Sequence, residues 1–231
     1  MSLVLYDLCG ADPDRRFSPF CWRVKMALAH KGIDFETKPV PFLEIEKIGG
    51  GDVSKTVPVI EHNGQFIRES FDIALYLEQS FPDAPTLFGG DGGVALSRFV
   101  EMYAGTMVAG HVARAVVKDI HDILGAEDQA YFRTSREKRF SNTLEDVQAG
   151  REAAIADLAK ALTPVRMMLG KQPYLGGEGP LFADYILFGF LQWPRVASAA
   201  KLLTDDDPVL DWFNRCLDLH NGIGRAMSAA A

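Results

Sequence analysis

Residues 55–81, KTVPVIEHNGQFIRESFDIALYLEQSF, place a strand, a tight turn, a second strand and a helix in one short run. Val57-Pro58-Val59-Ile60 is β-branched and apolar, which predicts a strand. A proline leading into a strand belongs at an edge, at a strand start or at a cis bond, because it cannot donate to the ladder. Asn63-Gly64 supplies two residues that tolerate positive φ, so the chain turns there, and Gln65 to Ile67 returns as the next strand. Ser70 then reads as the N-cap of a helix from Phe71 to Phe81, whose Ile73, Ala74, Leu77 and Phe81 share one face.

Upstream, the same alternation continues. Leu3 to Leu8 predicts a strand, Gly10 to Arg16 a polar loop, and Pro19 to Lys31 a largely buried helix with Pro19 at its first position and Gly32 as its stop. Ile33 to Val40 reads as a strand. Phe42 to Ile48 is a weak segment before the flexible Gly49-Gly50-Gly51. Two strands joined through a helix should be parallel, and the hairpin should add an antiparallel edge. Downstream the pattern changes. Residues 83–93 are rich in Pro, Gly and Asp and read as a linker, and everything after them is helical in periodicity. The expected helices are Ala95 to Leu124, one or two within Thr134 to Leu169, Phe182 to Ser198, and Pro208 to His220. The expected architecture is a small α/β domain over residues 1–82 and an all-α domain over residues 94–231.

Composition narrows the function. The 231 residues are 48% hydrophobic and carry a formal net charge of −7, ordinary for a globular chain and wrong for gripping nucleic-acid phosphates. The longest apolar stretches, such as Tyr185 to Trp193, fall far short of the ~20 residues a membrane span needs. The opening MSLVLYDLCG has no basic segment before its apolar run, so no secretory signal is expected. Cys9, Cys21 and Cys216 are too few and too scattered for a disulfide framework, which points to the reducing cytoplasm. His111 and His121 are isolated, and no metal-ligand set is visible.

Three short segments could carry chemistry. Ser18-Pro19 opens a helix, where unpaired N–H groups and a partial positive charge favour an anion. Ser18 either caps that helix and nothing more, or holds a ligand's anionic atom there. Val57-Pro58 is either a turn before an edge strand or a free strand edge offering the backbone of Val57 to an extended peptide. Glu69-Ser70 is either an N-cap with an adjacent acid or a site for a carbon bearing both an ammonium and a carboxylate.

Taken together, the segments SPFCWRVKMALAHKGIDFE, KTVPVIEHNGQFIRES and SFDIALYLEQSFPDAPTLF resemble the thioredoxin-like N-terminal domain of the glutathione S-transferase family. PLFADYILFG resembles that family's helical domain, with Asp184 as its buried aspartate. The SP-x-x-WR, VP and ES-x-x-IA-x-YL combination resembles the bacterial β-etherase-like branch and related fungal serine-type members. The resemblance implies a thioredoxin-like domain followed by an all-α domain, glutathione as co-substrate, and a cytosolic homodimer. It implies that Ser18 is the catalytic serine, that Val57 pairs with the cysteinyl backbone of glutathione, that Pro58 is a cis-proline, and that Glu69 and Ser70 hold the γ-glutamyl group. Lys55 lies near where family members place a polar side chain toward glutathione. Two departures stand out: Leu181 replaces the usual Ser or Thr three residues before Asp184, and the Gly10–Arg16 loop is long enough to alter access to the site.

The chemistry is plausible in magnitude. A free thiol titrates near ~8.5, and lowering that by about two units requires about 2.7 kcal/mol. A hydroxyl donated to a thiolate supplies about 1.5–3 kcal/mol, and a helix N-terminus about 0.3–1 more. Ser18 is then a donor to the sulfur, not a nucleophile. Tyr6 in the first strand is its main rival, and Cys21 would bring mixed-disulfide chemistry instead. A stripe on the first long helix containing Tyr103, Met107 and His111 is expected either to be interdomain core or to line the second-substrate pocket. The electrophile should be hydrophobic and aromatic. Alternatives to a general transferase are β-aryl-ether cleavage with the same thiolate, and a non-enzymatic ligand-binding protein on the same fold.

Overall fold

A computed structural model describes residues 3–230. Strands β1 (Leu3–Leu8) and β2 (Phe35–Val40) run parallel and are connected through helix α1 (Pro19–His30). Strands β3 (Val59–His62) and β4 (Gln65–Arg68) form the expected hairpin around Asn63 and Gly64, which take φ of 54° and 77°. β3 lies antiparallel to β1, so the sheet order is β2-β1-β3-β4. Side chains alternate across β1: Leu5 and Asp7 face α1, and Tyr6 faces the opposite side beside Phe66. Helix α2 (Ser70–Ser80) packs beside α1.

Three boundaries differ from the sequence reading. The third strand begins at Val59, because the Val57–Pro58 bond is cis and turns the chain before the ladder starts. The weak segment is a pair of 3₁₀ turns, Phe42–Gly50, broken at Ile48 and Gly49. Ser70 is the first helical residue of α2, not its cap; Glu69 holds the cap position at φ 61° and ψ 123°. A non-glycine residue held there costs about 1–3 kcal/mol and needs its surroundings to fix it.

The helical half runs as α3 (Asp91–Tyr103), a π-helical turn (Ala104–Val108), α4 (Ala109–Asp122), α5 (Ala126–Phe140), α6 (Leu144–Ala149), α7 (Arg151–Ala161), α8 (Thr163–Leu169), α9 (Phe182–Ala197) and α10 (Pro208–Ala226). The expected long helix Ala95–Leu124 is thus interrupted by the π turn, and Thr134–Leu169 divides among four helices. Gly150 and Pro164 mark two of those breaks. Helix α10 runs past its expected end, with a non-helical kink over Leu219–Gly222.

α9 is the spine of the molecule. All but two of its residues are buried, and it packs along α1 through Trp22 and Phe188, whose rings meet edge-on at 6.1 Å. At its start, the Asp184 carboxylate accepts from the N–H groups of Leu175 (2.7 Å), Gly176 (2.9 Å) and Leu181 (3.0 Å) and from the Trp212 indole (2.9 Å). Leu181 offers no side-chain acceptor in return, so Asp184 does the capping alone.

Candidate active site

Ser18 sits at the N-cap of α1, 3% exposed, with its Oγ accepting from the Cys21 N–H at 3.3 Å. That bond uses a lone pair. No acceptor among the described residues takes the hydroxyl proton, which leaves it available to a ligand. The preceding chain is fixed by Trp22, whose indole N–H donates to the Arg16 carbonyl at 2.9 Å, and by the Arg16 guanidinium, which bonds the Pro13 carbonyl. Beneath the loop, buried Asp7 pairs with Lys25 at 2.6 Å and lies 3.6 Å from Arg16. The Gly10–Arg16 loop does not line the cleft. It turns toward the end of α4, where Ala11 N–H donates to the Ile123 carbonyl at 2.8 Å and a Cβ at Gly10 would approach that oxygen to 2.4 Å.

The rivals to Ser18 face elsewhere. The Tyr6 hydroxyl donates to Glu61 Oε2 at 2.8 Å across the sheet, and burial with that carboxylate pushes its pKa up to about 12. Cys21 is fully buried, and burial with the nearby Asp7 charge pushes its thiol far above the usual range. Neither residue lines the two cavities at Ser18 and Glu69.

A cleft of about 770 Å³ opens between the two halves of the chain, with Ser18, Lys55 and Val57 in its wall. A second cavity of about 850 Å³ lies beside it, lined by Ser54, Lys55, Thr56, Arg68, Glu69 and others. Both are lined by Glu46, Lys55 and Thr56. Val57 lies outside the ladder, whose last pairs on this side are Val59 with Tyr6 and with Arg68. The cavity walls are braced locally: Ser54 Oγ donates to the Thr56 carbonyl at 2.8 Å, Thr56 Oγ1 to Glu69 at 3.4 Å, and Arg68 to the Val53 carbonyl at 2.8 Å. Ser70 is buried, and its hydroxyl accepts from Arg23 at 3.3 Å; it lines neither cavity by its side chain.

The structure therefore brings Ser18, Lys55, Val57 and Glu69 around one continuous pair of cavities, with Pro58 and Ser70 immediately behind. It does not bring in Tyr103, Met107 or His111. The Tyr103 hydroxyl bonds the Ala161 carbonyl of α7, Met107 is half exposed, and His111 lies on the side of Asp157. The face toward the cleft is Met102, Gly105, Ala109, Ala113 and Val117. The expected stripe steps by four residues from Tyr103, which already lies beside the cleft-facing row at the end of α3, so Met107 and His111 run alongside that row and not along it.

Several cleft residues had no signal in the sequence. Arg23 is 1% exposed, its guanidinium held between the rings of Phe20 (4.5 Å) and Phe190 (4.9 Å) and 3.6 Å from Glu101 of α3. Burial lowers its pKa to about 10, with Glu101 opposing the shift. Phe42, Tyr131, Phe132 and Arg136 form the far wall, where Asp128 of α5 accepts from the N–H groups of Phe42 (2.8 Å) and Leu43 (3.0 Å) and so ties α5 to the 3₁₀ segment. Thr56 could have been read as the residue preceding Val57; the others come together only through tertiary folding.

Comparison with known proteins agrees with this arrangement. Residues 17–80 match the glutathione S-transferase N-terminal domain, and residues 95–218 match the glutathione S-transferase C-terminal domain. A probable glutathione S-transferase of Nicotiana tabacum is 29% identical over 180 residues, covering 76% of this chain and 69% of the relative. A crystal structure of a glutathione transferase from Phanerochaete chrysosporium superposes with a TM-score of 0.78 at 28% identity, covering 98% of this chain and 94% of that one. A glutathione S-transferase of Ceriporiopsis subvermispora in complex with glutathione shares the fold, with a TM-score of 0.83 at 23% identity over 96% of this chain and 97% of its own. With both domain models matched in order across the two halves that form the cleft, the chain belongs to the glutathione S-transferase family and is a glutathione transferase.

Proposed function

We propose that glutathione lies along the two adjoining cavities with its sulfur at Ser18, and that the thiolate attacks a hydrophobic aromatic electrophile held in the larger cleft. The observation that carries this reading is the Ser18 hydroxyl, whose lone pair is taken by the α1 N-terminus while its proton has no acceptor. The cysteinyl backbone would pair with Val57 beside the cis Pro58. Glu69 would take the γ-glutamyl ammonium, the N–H groups at the start of α2 its carboxylate, and Lys55 the glycyl end.

Activation needs no general base. Bringing the thiol pKa down by about two units requires about 2.7 kcal/mol. The Ser18 donor contributes about 1.5–3 and the helix terminus about 0.3–1 kcal/mol. The thiol proton leaves to solvent and the thiolate forms the new carbon–sulfur bond as the leaving group departs. β-Aryl-ether cleavage uses the same step with a phenolate leaving group, and the aromatic far wall of Phe42, Tyr131 and Phe132 would suit such a substrate. The exposed Phe99 of α3 supports a homodimer that covers it. Three buried free cysteines suit a cytoplasmic location.

The test is ultraviolet titration of the bound thiolate. Ser18→Ala should raise its pKa by about one to two units while glutathione affinity stays nearly intact, and turnover of an aryl halide near neutral pH should fall about 10- to 100-fold. An unchanged pKa in Ser18→Ala would remove Ser18 from the sulfur. Absence of a thiolate signal below about pH 8 in the wild type would favour a ligand-binding protein instead.

A further inference from the structure

One end of the cleft is cationic in an otherwise acidic protein. Arg136 and Arg139, one turn apart on α5, both line it. Arg114 of α4 lies close by, its guanidinium 5.4 Å from the centre of the Phe140 ring, against 5.9 Å for Arg139. None of the three has a carboxylate within ion-pair distance among the described residues, although the chain carries 31 Asp and Glu against 24 Lys and Arg. The contrast with Arg133 on the same helix is direct, since that side chain holds both Glu137 and Glu145 at 2.8 Å.

Arg136 is also held in place. Its guanidinium lies 4.6 Å over the Phe132 ring and 5.8 Å from Phe42, and one N–H donates to Ser135 Oγ at 2.9 Å. Stacking of this kind engages the face of the guanidinium and leaves N–H groups on its edge free for a planar anion. Two neighbouring guanidinium groups without counter-ions repel each other, and burial adds to that cost. An anion bound between them removes both penalties. Beside them, Phe42, Phe132 and Tyr131 offer the flat apolar surface an aryl ring would use.

We propose that the second substrate is an aryl electrophile bearing a carboxylate, and that Arg136 and Arg139 bind that carboxylate while the ring rests on the Phe42–Phe132 wall. The inference rests on the reading of this cleft as the electrophile site. In the reaction, the glutathione thiolate donates its electron pair to the ring carbon that bears the leaving group. The carbon–sulfur bond forms, the bond to the leaving group breaks, and the leaving group departs with that bond's electron pair. The arginines neither accept nor supply a proton. They bind and orient.

The experiment compares chlorodinitrobenzene with its ring-carboxylated counterpart, chlorodinitrobenzoate, in the wild type, Arg136→Gln, Arg139→Gln and Arg133→Gln. Losing one charged hydrogen-bonding group should cut the benzoate-to-benzene ratio of kcat/KM by about 10-fold or more in Arg136→Gln, with a smaller loss in the more exposed Arg139→Gln. Arg133→Gln should leave the ratio unchanged. Arg136→Lys keeps the charge and should recover part of it, which separates recognition from loss of packing on Phe132. A ratio unchanged in both Arg136→Gln and Arg139→Gln overturns the proposal. So does a loss expressed in the KM for glutathione instead of the aryl substrate, which would place the arginines on the tripeptide. A wild type that turns over neither aryl halide counts against the aromatic electrophile of the proposed function. The carboxylate site is then decided by calorimetry with nitrobenzoate, whose binding should be present in the wild type and weakened about 10-fold in Arg136→Gln.

Discussion

Gly189 in α9 is the point where the helical half touches the start of α1, and adding one methyl group there should disable the site from a distance. A Cβ at Gly189 would lie 2.2 Å from the Pro19 carbonyl oxygen and 3.1 Å from its carbon. Both are backbone atoms, so no side chain can swing aside. Restoring ordinary contact requires α1 and α9 to part by about 1 Å, against a close-packed interface that includes Trp22 and Phe188. Overpacking of this kind costs about 1–3 kcal/mol, which in a chain of this size lowers Tm by about 2–12 °C. The functional cost should be larger in proportion. Pro19 follows Ser18 directly, and a catalytic group misplaced by about 1 Å can lose about 100-fold in rate. Gly189→Ala should therefore raise the pKa of the bound thiol and cut kcat even where the protein remains folded. Gly110→Ala in α4 is the matched control. Nothing lies within 4 Å of its added methyl, so it should stabilise by about 0.5–1 kcal/mol through ordinary helix propensity. Thermal unfolding, thiolate titration and aryl-halide turnover on the two variants give the answer. A Gly189→Ala protein with wild-type Tm, thiol pKa and kcat would refute the claim that this contact sets the position of Ser18.

Glu69→Ala should weaken glutathione binding by about 10- to 150-fold, the loss of one charged hydrogen bond, and isothermal calorimetry would detect it; unchanged affinity would take Glu69 out of the site. Acid sensitivity should come in part from His220. Its Nε2 lies 2.9 Å from the Tyr185 hydroxyl, which also sits 2.6 Å from His30, with Lys31 and Glu78 nearby. Burial, then the facing His30, pulls the His220 pKa down from 6.5 to about 4, so the unfolded state binds the proton first. Stability should be full above about pH 6.5 and fall as pH drops toward about 4, and His220→Asn should flatten that slope in urea unfolding between those values.

The sequence carried the small α/β domain well because its signals are local. Asn63-Gly64 turns the chain, Pro19 takes the first helical position of α1, and the apolar run Leu3–Leu8 forms the strand it predicts. What it misplaced were features decided by tertiary demand. Ser70 has every quality of an N-cap, yet Glu69 takes that position in a backbone region few side chains adopt. Nothing in the composition of Arg68-Glu69-Ser70 advertises a φ of 61°. The single long helix expected over Ala95–Leu124 failed for a related reason. A π turn needs no proline or glycine signature, and here it inserts its extra winding where Thr106 bonds back to the Met102 carbonyl at 2.7 Å.

The residues proposed for the second substrate left less trace in the sequence than those proposed for glutathione. Ser18, Val57 and Glu69 each sit near an element boundary, and short motifs such as Ser18-Pro19 and Val57-Pro58 mark those places even where the exact start of β3 or the cap of α2 falls one or two residues away. The wall proposed for the electrophile is assembled instead from side chains within α5 and the 3₁₀ segment, brought together where Asp128 grips the backbone of Phe42 and Leu43. Arg136 in sequence is one more cation on a polar helix. Its neighbour Arg133 is an ordinary surface residue satisfied by Glu137 and Glu145. Only the folded chain shows that one arginine has carboxylate partners and the other faces a cleft without them. On the proposed reading, specificity for the second substrate would follow from how α5 docks on the 3₁₀ segment. A substitution that loosens that dock, such as Asp128→Asn, should alter electrophile selection before it alters the handling of the thiol, because the Ser18 N-cap depends on the separate α1–α9 contact.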